Sequence, residues 1–164
     1  RHYLDKYAAR TRVWVGHHLY RSNRDQVGAV KALCDELRFE HHPIAAFYQP
    51  LERLVDLLEG RWEGAPIMDD MVEHPLTYLP RIKAQRSGEH DCELRFNQTV
   101  INHDGTVALC CSVYDRSQML GVNFLERSHR ELEALKYDHP FCTTCMKHGL
   151  EYSVADVGLA ASPR

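Results

Sequence analysis

Five of the six cysteines fall between Cys92 and Cys145, and their spacing constrains this chain more than any other feature. Cys142-Thr143-Thr144-Cys145 is a C-x2-C pair, which puts two thiols on one turn, close enough to share a metal. Such pairs also occur in zinc knuckles, redox motifs and iron–sulfur sites, so the pair alone does not choose among them. Cys92 stands just before a predicted hairpin and Cys110 on its second strand, with seventeen residues between them. Two single cysteines and a pair make a closed set of four soft ligands, suited to zinc or to an Fe–S cluster. His148 or His139 could replace one cysteine in a zinc site.

Two of the other cysteines carry different expectations. Alternation along the second strand puts Val107, Leu109 and Cys111 on one face and Thr106, Ala108 and Cys110 on the other. If the first face is the core, Cys110 is the ligand and Cys111 packs; Cys111 is the alternative ligand. Cys34 lies on the apolar stripe of a predicted helix and reads as a small packing residue.

Composition narrows the class. The 164 residues are 44% hydrophobic and 26% charged, as in globular proteins. No apolar run approaches the roughly 20 residues of a membrane span. A net charge of -3 gives no reason to expect nucleic acid or an anionic membrane as partner. No signal peptide opens the sequence, so the expected compartment is the reducing cytoplasm, where clustered thiols read as ligands before disulfides.

The periodicity predicts an α/β fold. Arg12 to His18 reads as a strand, followed by a helix that Asn23 caps with Gln26 as its capping-box partner. Arg38 to Ala46 reads as a second strand, ending at Pro43 or soon after. A helix from Pro50 then turns Leu51, Leu54, Val55 and Leu58 inward and stops at Gly60. Residues 61–91 read as a linker with a short face of Leu76, Leu79 and Ile82. Leu94 to Ile101 and Thr106 to Val113 read as a hairpin around Asp104-Gly105. Ser128 and Glu131 form a capping box that opens a short helix, which Pro140 and the Cys142 region end. Residues 153–164 read as a flexible tail.

The run Ile101-Asn102-His103-Asp104-Gly105-Thr106-Val107-Ala108-Leu109-Cys110-Cys111, then Gly121, Ser128-His129-Arg130-Glu131-Leu132 and Cys142-Thr143-Thr144-Cys145, resembles the C-terminal auxiliary-cluster region of radical SAM enzymes. That region is the SPASM domain or its shorter twitch form. The likeness spans Cys92 to about Gly149, roughly a third of the chain. It implies one auxiliary [4Fe–4S] cluster on Cys92, Cys110, Cys142 and Cys145. It also implies that residues 1–60 are the last βα units of a partial (β/α)6 radical SAM barrel, 61–91 a linker, and 92–152 a small α+β cluster domain.

At the end of the first strand, His18, Tyr20 and Asn23 are then candidates to approach S-adenosyl-L-methionine or substrate. His103, Thr143, Thr144 and Lys147 are near enough in sequence to hydrogen-bond the cluster sulfurs. Three departures from the family pattern stand out. The C-x3-C-x2-C motif of the SAM-cleaving cluster is missing from this chain. The Gly-Asn step is displaced by one residue, to Gly121-Val122-Asn123. No cysteine follows Cys145, which supports a single cluster.

The implied function is the C-terminal part of a radical SAM enzyme. The intact enzyme cleaves S-adenosyl-L-methionine reductively, and the resulting radical takes hydrogen from a peptide or small-molecule substrate. The auxiliary cluster would accept an electron. Implied partners are the N-terminal part of the barrel, the substrate, and a reductase or flavodoxin as electron donor, without nucleic acid or membrane.

Two other classes compete. One is a non-enzymatic zinc-binding or interaction module built on the same thiols. The other is a cysteine hydrolase, although no nucleophile signature surrounds Cys92 or Cys110. His17-His18 and His41-His42, on neighbouring predicted strands, could each offer one ligand to a separate metal site.

Overall fold

The computed structural model describes residues 12–85 and 91–153, and within them the chain divides into two compact units. The expected tail lies outside the described residues except for Ser153. Among the described residues no helix is long and apolar enough to cross a membrane.

The first unit holds the described residues up to Ala46, together with Asp69–Val72. Strand β1 (Trp14–Leu19) and strand β2 (Glu40–Ala45) pair in parallel, from Trp14 opposite Glu40 to Leu19 opposite Ala45. A 3₁₀ segment (Arg21–Gln26) and helix α1 (Val27–Leu37) connect them, and α1 packs on both strands. The expected strand–helix–strand therefore forms, and β2 runs through Pro43. Asn23 does not cap α1. It sits three residues into the 3₁₀ segment and turns back, its Oδ1 accepting the Tyr20 N–H at 2.7 Å. Arg38 ends α1 in the left-handed conformation, its N–H reaching the Asp35 and Cys34 carbonyls. Cys34 is buried in α1, as its place on the apolar stripe predicts.

The second unit comprises Phe47–Met68 and Glu73 onward. Its helix α2 (Leu51–Leu58) buries Leu51, Leu54, Val55 and Leu57 and packs against helix α7 (Pro140–His148). The helix expected to complete a second barrel unit thus belongs with the cysteine-bearing residues, and the boundary falls after Ala46 rather than at residue 60. Residues 61–91 are more than a linker. Helix α3 (Ile67–Asp70) and helix α4 (Pro75–Gln85) form there, and Met68, Tyr78 and Leu79 are core residues. Leu76, expected on the inner face, is exposed.

The hairpin is shorter than its sequence suggests. Leu94 to Phe96 belong to helix α5 (Glu93–Phe96), not to a strand. Short apolar runs do not separate helix from strand by periodicity. Strands β3 (Val100–Ile101) and β4 (Val107–Ala108) pair antiparallel around the Asn102–Thr106 turn. In that turn Asp104 Oδ1 accepts from the Thr106 N–H and hydroxyl. Gly105 has φ +81°, and a Cβ there would lie 2.6 Å from Asn123 Nδ2. Gly105→Ala should therefore cost about 1–3 kcal/mol in chemical denaturation, because strain and clash coincide. An unchanged midpoint would contradict this.

Helix α6 (His129–Tyr137) opens on the expected capping box, with Ser128 Oγ and Glu131 Oε2 serving each other's backbone N–H. Pro140 starts α7 rather than ending α6. It occupies the first turn, where no intrahelical N–H is needed, and His139 Nδ1 accepts the Phe141 N–H. Gly149 closes α7 at φ +71°. The core gathers Leu51, Leu54, Leu79, Val107, Leu109, Val113 and Leu150, each nearly or fully sealed from solvent.

Candidate metal centre

Four cysteines reach one cavity from three separate parts of the second unit. Cys92 is the N-cap of α5. Cys110 lies in the loop two residues beyond β4. Cys142 and Cys145 occupy successive turns of α7, three residues apart on one face. All four line a small cavity of about 30 Å³, with Leu51, Leu94, Leu109, Val113, Phe141 and Met146 supplying apolar wall and Arg95 and Glu151 supplying charge.

The cavity separates the two adjacent cysteines. Cys110 lines it; Cys111 does not, and is exposed. The expectation that Cys111 packs in the core is therefore wrong. The strand stops at Ala108, so alternation no longer governs residues 110 and 111. Val107, Ala108 and Leu109 are all buried, which shows a segment covered on both sides.

Two opposed influences act on these thiols, and burial, which keeps them protonated, is the larger. The backbone N–H groups of Leu94 and Arg95 at the start of α5 point to Cys92, and that of Ser112 points to Cys110; each favours the thiolate. Burial works the other way. It pushes Cys110 up to about 12 and Cys142 up to about 11, and raises Cys92 and Cys145. Arg95 and Lys136 partly offset this at Cys142.

A pH dependence follows for the metal-free chain. The thiols titrate near pH ~8.5 when unfolded. Above that value the folded state keeps protons that the unfolded state has lost, so their stability contribution is complete below pH ~8.5 and drains away as pH rises toward the folded values. Thermal melts of the metal-free chain should show a midpoint falling from about pH 8.5 upward. A midpoint rising over that range would contradict the assignment. Loading a metal group requires thiolates and releases protons, so uptake should strengthen with pH instead.

Among the described residues, no group of three His, Cys, Asp or Glu side chains is set to hold a metal ion. The donors around the cavity are all soft sulfur, with backbone N–H groups aimed at Cys92 and Cys110, chemistry that zinc and an iron–sulfur cluster share.

Other expected contributors lie elsewhere. His103, Thr143, Thr144 and Lys147 do not line the cavity. The Thr144 hydroxyl donates to the Pro140 carbonyl at 3.3 Å. His139 caps α7 and His148 pairs with Glu59 at 3.1 Å, so neither stands in for a cysteine.

Comparisons with protein-family models, curated proteins and solved structures found no match.

In the first unit, Asn23 is used for local structure: besides holding Tyr20, its Nδ2 donates to the His18 carbonyl at 3.0 Å. Tyr20 bridges to Met71, and Ser22 donates from its N–H and hydroxyl to Asp70. The His18 side chain is exposed at the end of β1. The two histidine pairs meet as expected of neighbouring strands, one ring from each: His17 Nδ1 lies 3.2 Å from His41 Nε2. His42 instead packs edge-on to Trp14.

The sequence reading missed Arg95, Lys136 and Glu151. For Lys136 there was a signal: it lies four residues after Leu132, on the inward stripe of an amphipathic helix, where a lysine is out of place.

Proposed function

We propose that the second unit carries a [4Fe–4S] cluster on Cys92, Cys110, Cys142 and Cys145, and that the chain is the C-terminal part of a radical SAM enzyme. The supporting observation is the convergence of these four cysteines, from three segments, on one cavity that excludes Cys111. When bound, the cluster supplies a one-electron acceptor. Four thiolates leave no iron open, so electron transfer fits better than direct ligation of substrate. Cys92 and Cys110, which accept from the N–H groups of Leu94, Arg95 and Ser112, would hold the group with Cys142 and Cys145. Leu51, Leu109, Val113 and Phe141 exclude water from its apolar side.

The wider reading has a peptide or small molecule as substrate, S-adenosyl-L-methionine as cosubstrate of the intact enzyme, and the cytoplasm as compartment. His18 and Tyr20 remain the substrate-side or cofactor-side candidates. Asn23 would act by shaping their loop.

Anaerobic reconstitution with ferrous iron and sulfide tests the cluster. Iron and sulfide should be taken up in equal amounts, with a broad visible absorbance that dithionite bleaches. A colourless chain that binds one zinc and no iron would falsify the proposal and leave a zinc module in its place.

A further inference from the structure

A lysine is buried near three of the four thiols. Lys136, on α6, is 2% exposed, and its Nζ donates to the Leu94 carbonyl at 3.1 Å and to the Gln98 carbonyl. Leu94 lines the cavity and belongs to α5, the turn that Cys92 caps. The ionisable groups close enough to influence Lys136 are the thiols of Cys110, Cys142 and Cys92, negative only as thiolates, and the carboxylate of Glu133. A buried ammonium is costly unless an anion faces it, and two carbonyls supply dipoles rather than charge. Protonated thiols do not meet that need; four thiolates around a cluster do.

Arg95 stands on the cavity wall itself. Its guanidinium lies 3.9 Å over the Tyr137 ring, and Nη1 donates to Met146 Sδ at 3.1 Å. Its buried Nε makes no hydrogen bond, with Asp91 Oδ1 3.5 Å away. Tyr137 in turn donates its hydroxyl to Asp91 at 2.7 Å, which fixes the ring beneath the guanidinium.

We propose that Lys136 and Arg95 are built-in counter-cations of the four-thiolate centre and raise its reduction potential. This rests on the cluster reading above. Reduction adds one electron to the cluster, with no bond made or broken at the protein. The extra negative charge is stabilised by the two cations across a low-dielectric wall. Both are positioning residues, acting through the field they impose on the cluster.

The test uses the full chain, reconstituted anaerobically, with iron and sulfide content read before any potential. A wild-type chain that takes up no iron overturns the cluster reading and this inference with it. With the cluster loaded, a redox titration poised with dithionite, which is itself oxidised to sulfite, gives the midpoint. Lys136→Gln, which removes the charge but keeps a donor, should load and titrate at lower potential. The expected loss is about tenfold in the reduced-to-oxidised ratio at the wild-type midpoint, or about 59 mV for one electron.

Lys136→Arg, which keeps the charge, should return the midpoint toward wild type. An unchanged midpoint in a fully loaded Lys136→Gln chain would overturn the inference, leaving Lys136 as a clamp on α5. If Lys136→Gln does not retain the cluster, Arg95→Gln decides in the same way: a lowered midpoint supports the counter-cation role, and an unchanged one overturns it.

Discussion

Cys110→Ala should impair assembly of the proposed cluster, whereas Cys111→Ala, one residue along, should leave it intact. The two cysteines are neighbours in sequence but not in surroundings. Cys110 lines the cavity beneath the Ser112 N–H, with Cys92 and Cys142 close enough to influence its charge. Cys111 is exposed, and its N–H donates to Gln98 Oε1 at 3.2 Å, a bond that the side-chain change preserves. On the proposed cluster, losing Cys110 would leave one iron without its thiolate and open to solvent or exchange. Iron bound after gel filtration should fall below the wild-type value in Cys110→Ala and stay at it in Cys111→Ala. Equal loss in both variants would show that the loop, not one sulfur, matters.

Leu54→Ala should destabilise the second unit by about 2–5 kcal/mol, the range for emptying a filled core position. Leu54 is fully buried on α2, the helix that packs against α7. Leu76→Ala is the control. That side chain is 49% exposed on α4 and should cost no more than about 0.5 kcal/mol. Denaturant titrations of both variants separate the cases, and a Leu54→Ala midpoint matching that of Leu76→Ala would refute the packing described for α2 and α7.

Cys92, Cys110, Cys142 and Cys145 were legible as a group because residue type and spacing single them out. The C-x2-C pair sits on one helical face as its spacing implies. The Ser128–Glu131 capping box and the Asp104-Gly105 turn are local signals, and local chemistry decides them. The parallel pairing of β1 and β2 also followed from periodicity.

Other features depended on partners remote in sequence. Leu94 to Phe96 are as apolar as a strand, yet they form the turn that Cys92 caps. Residues 61–91 are broken by prolines; the short helical face with Leu79 does form, as α4, but α3 and the burial of Met68 depend on contacts that the linker reading does not contain. The choice of Cys110 over Cys111 rested on a strand alternation that the chain does not keep that far. The role of α2 was hidden because its amphipathic stripe is equally suited to a barrel strand or to α7. Lys136 was overlooked since a charged residue on a short polar helix ordinarily faces water.

The three-segment origin of the cavity cysteines has one more consequence. A group bound at once by Cys92, Cys110 and the Cys142–Cys145 turn ties off two long stretches of backbone, 93–109 and 111–141, as a set of cross-links would. Loss of that group would release both stretches together.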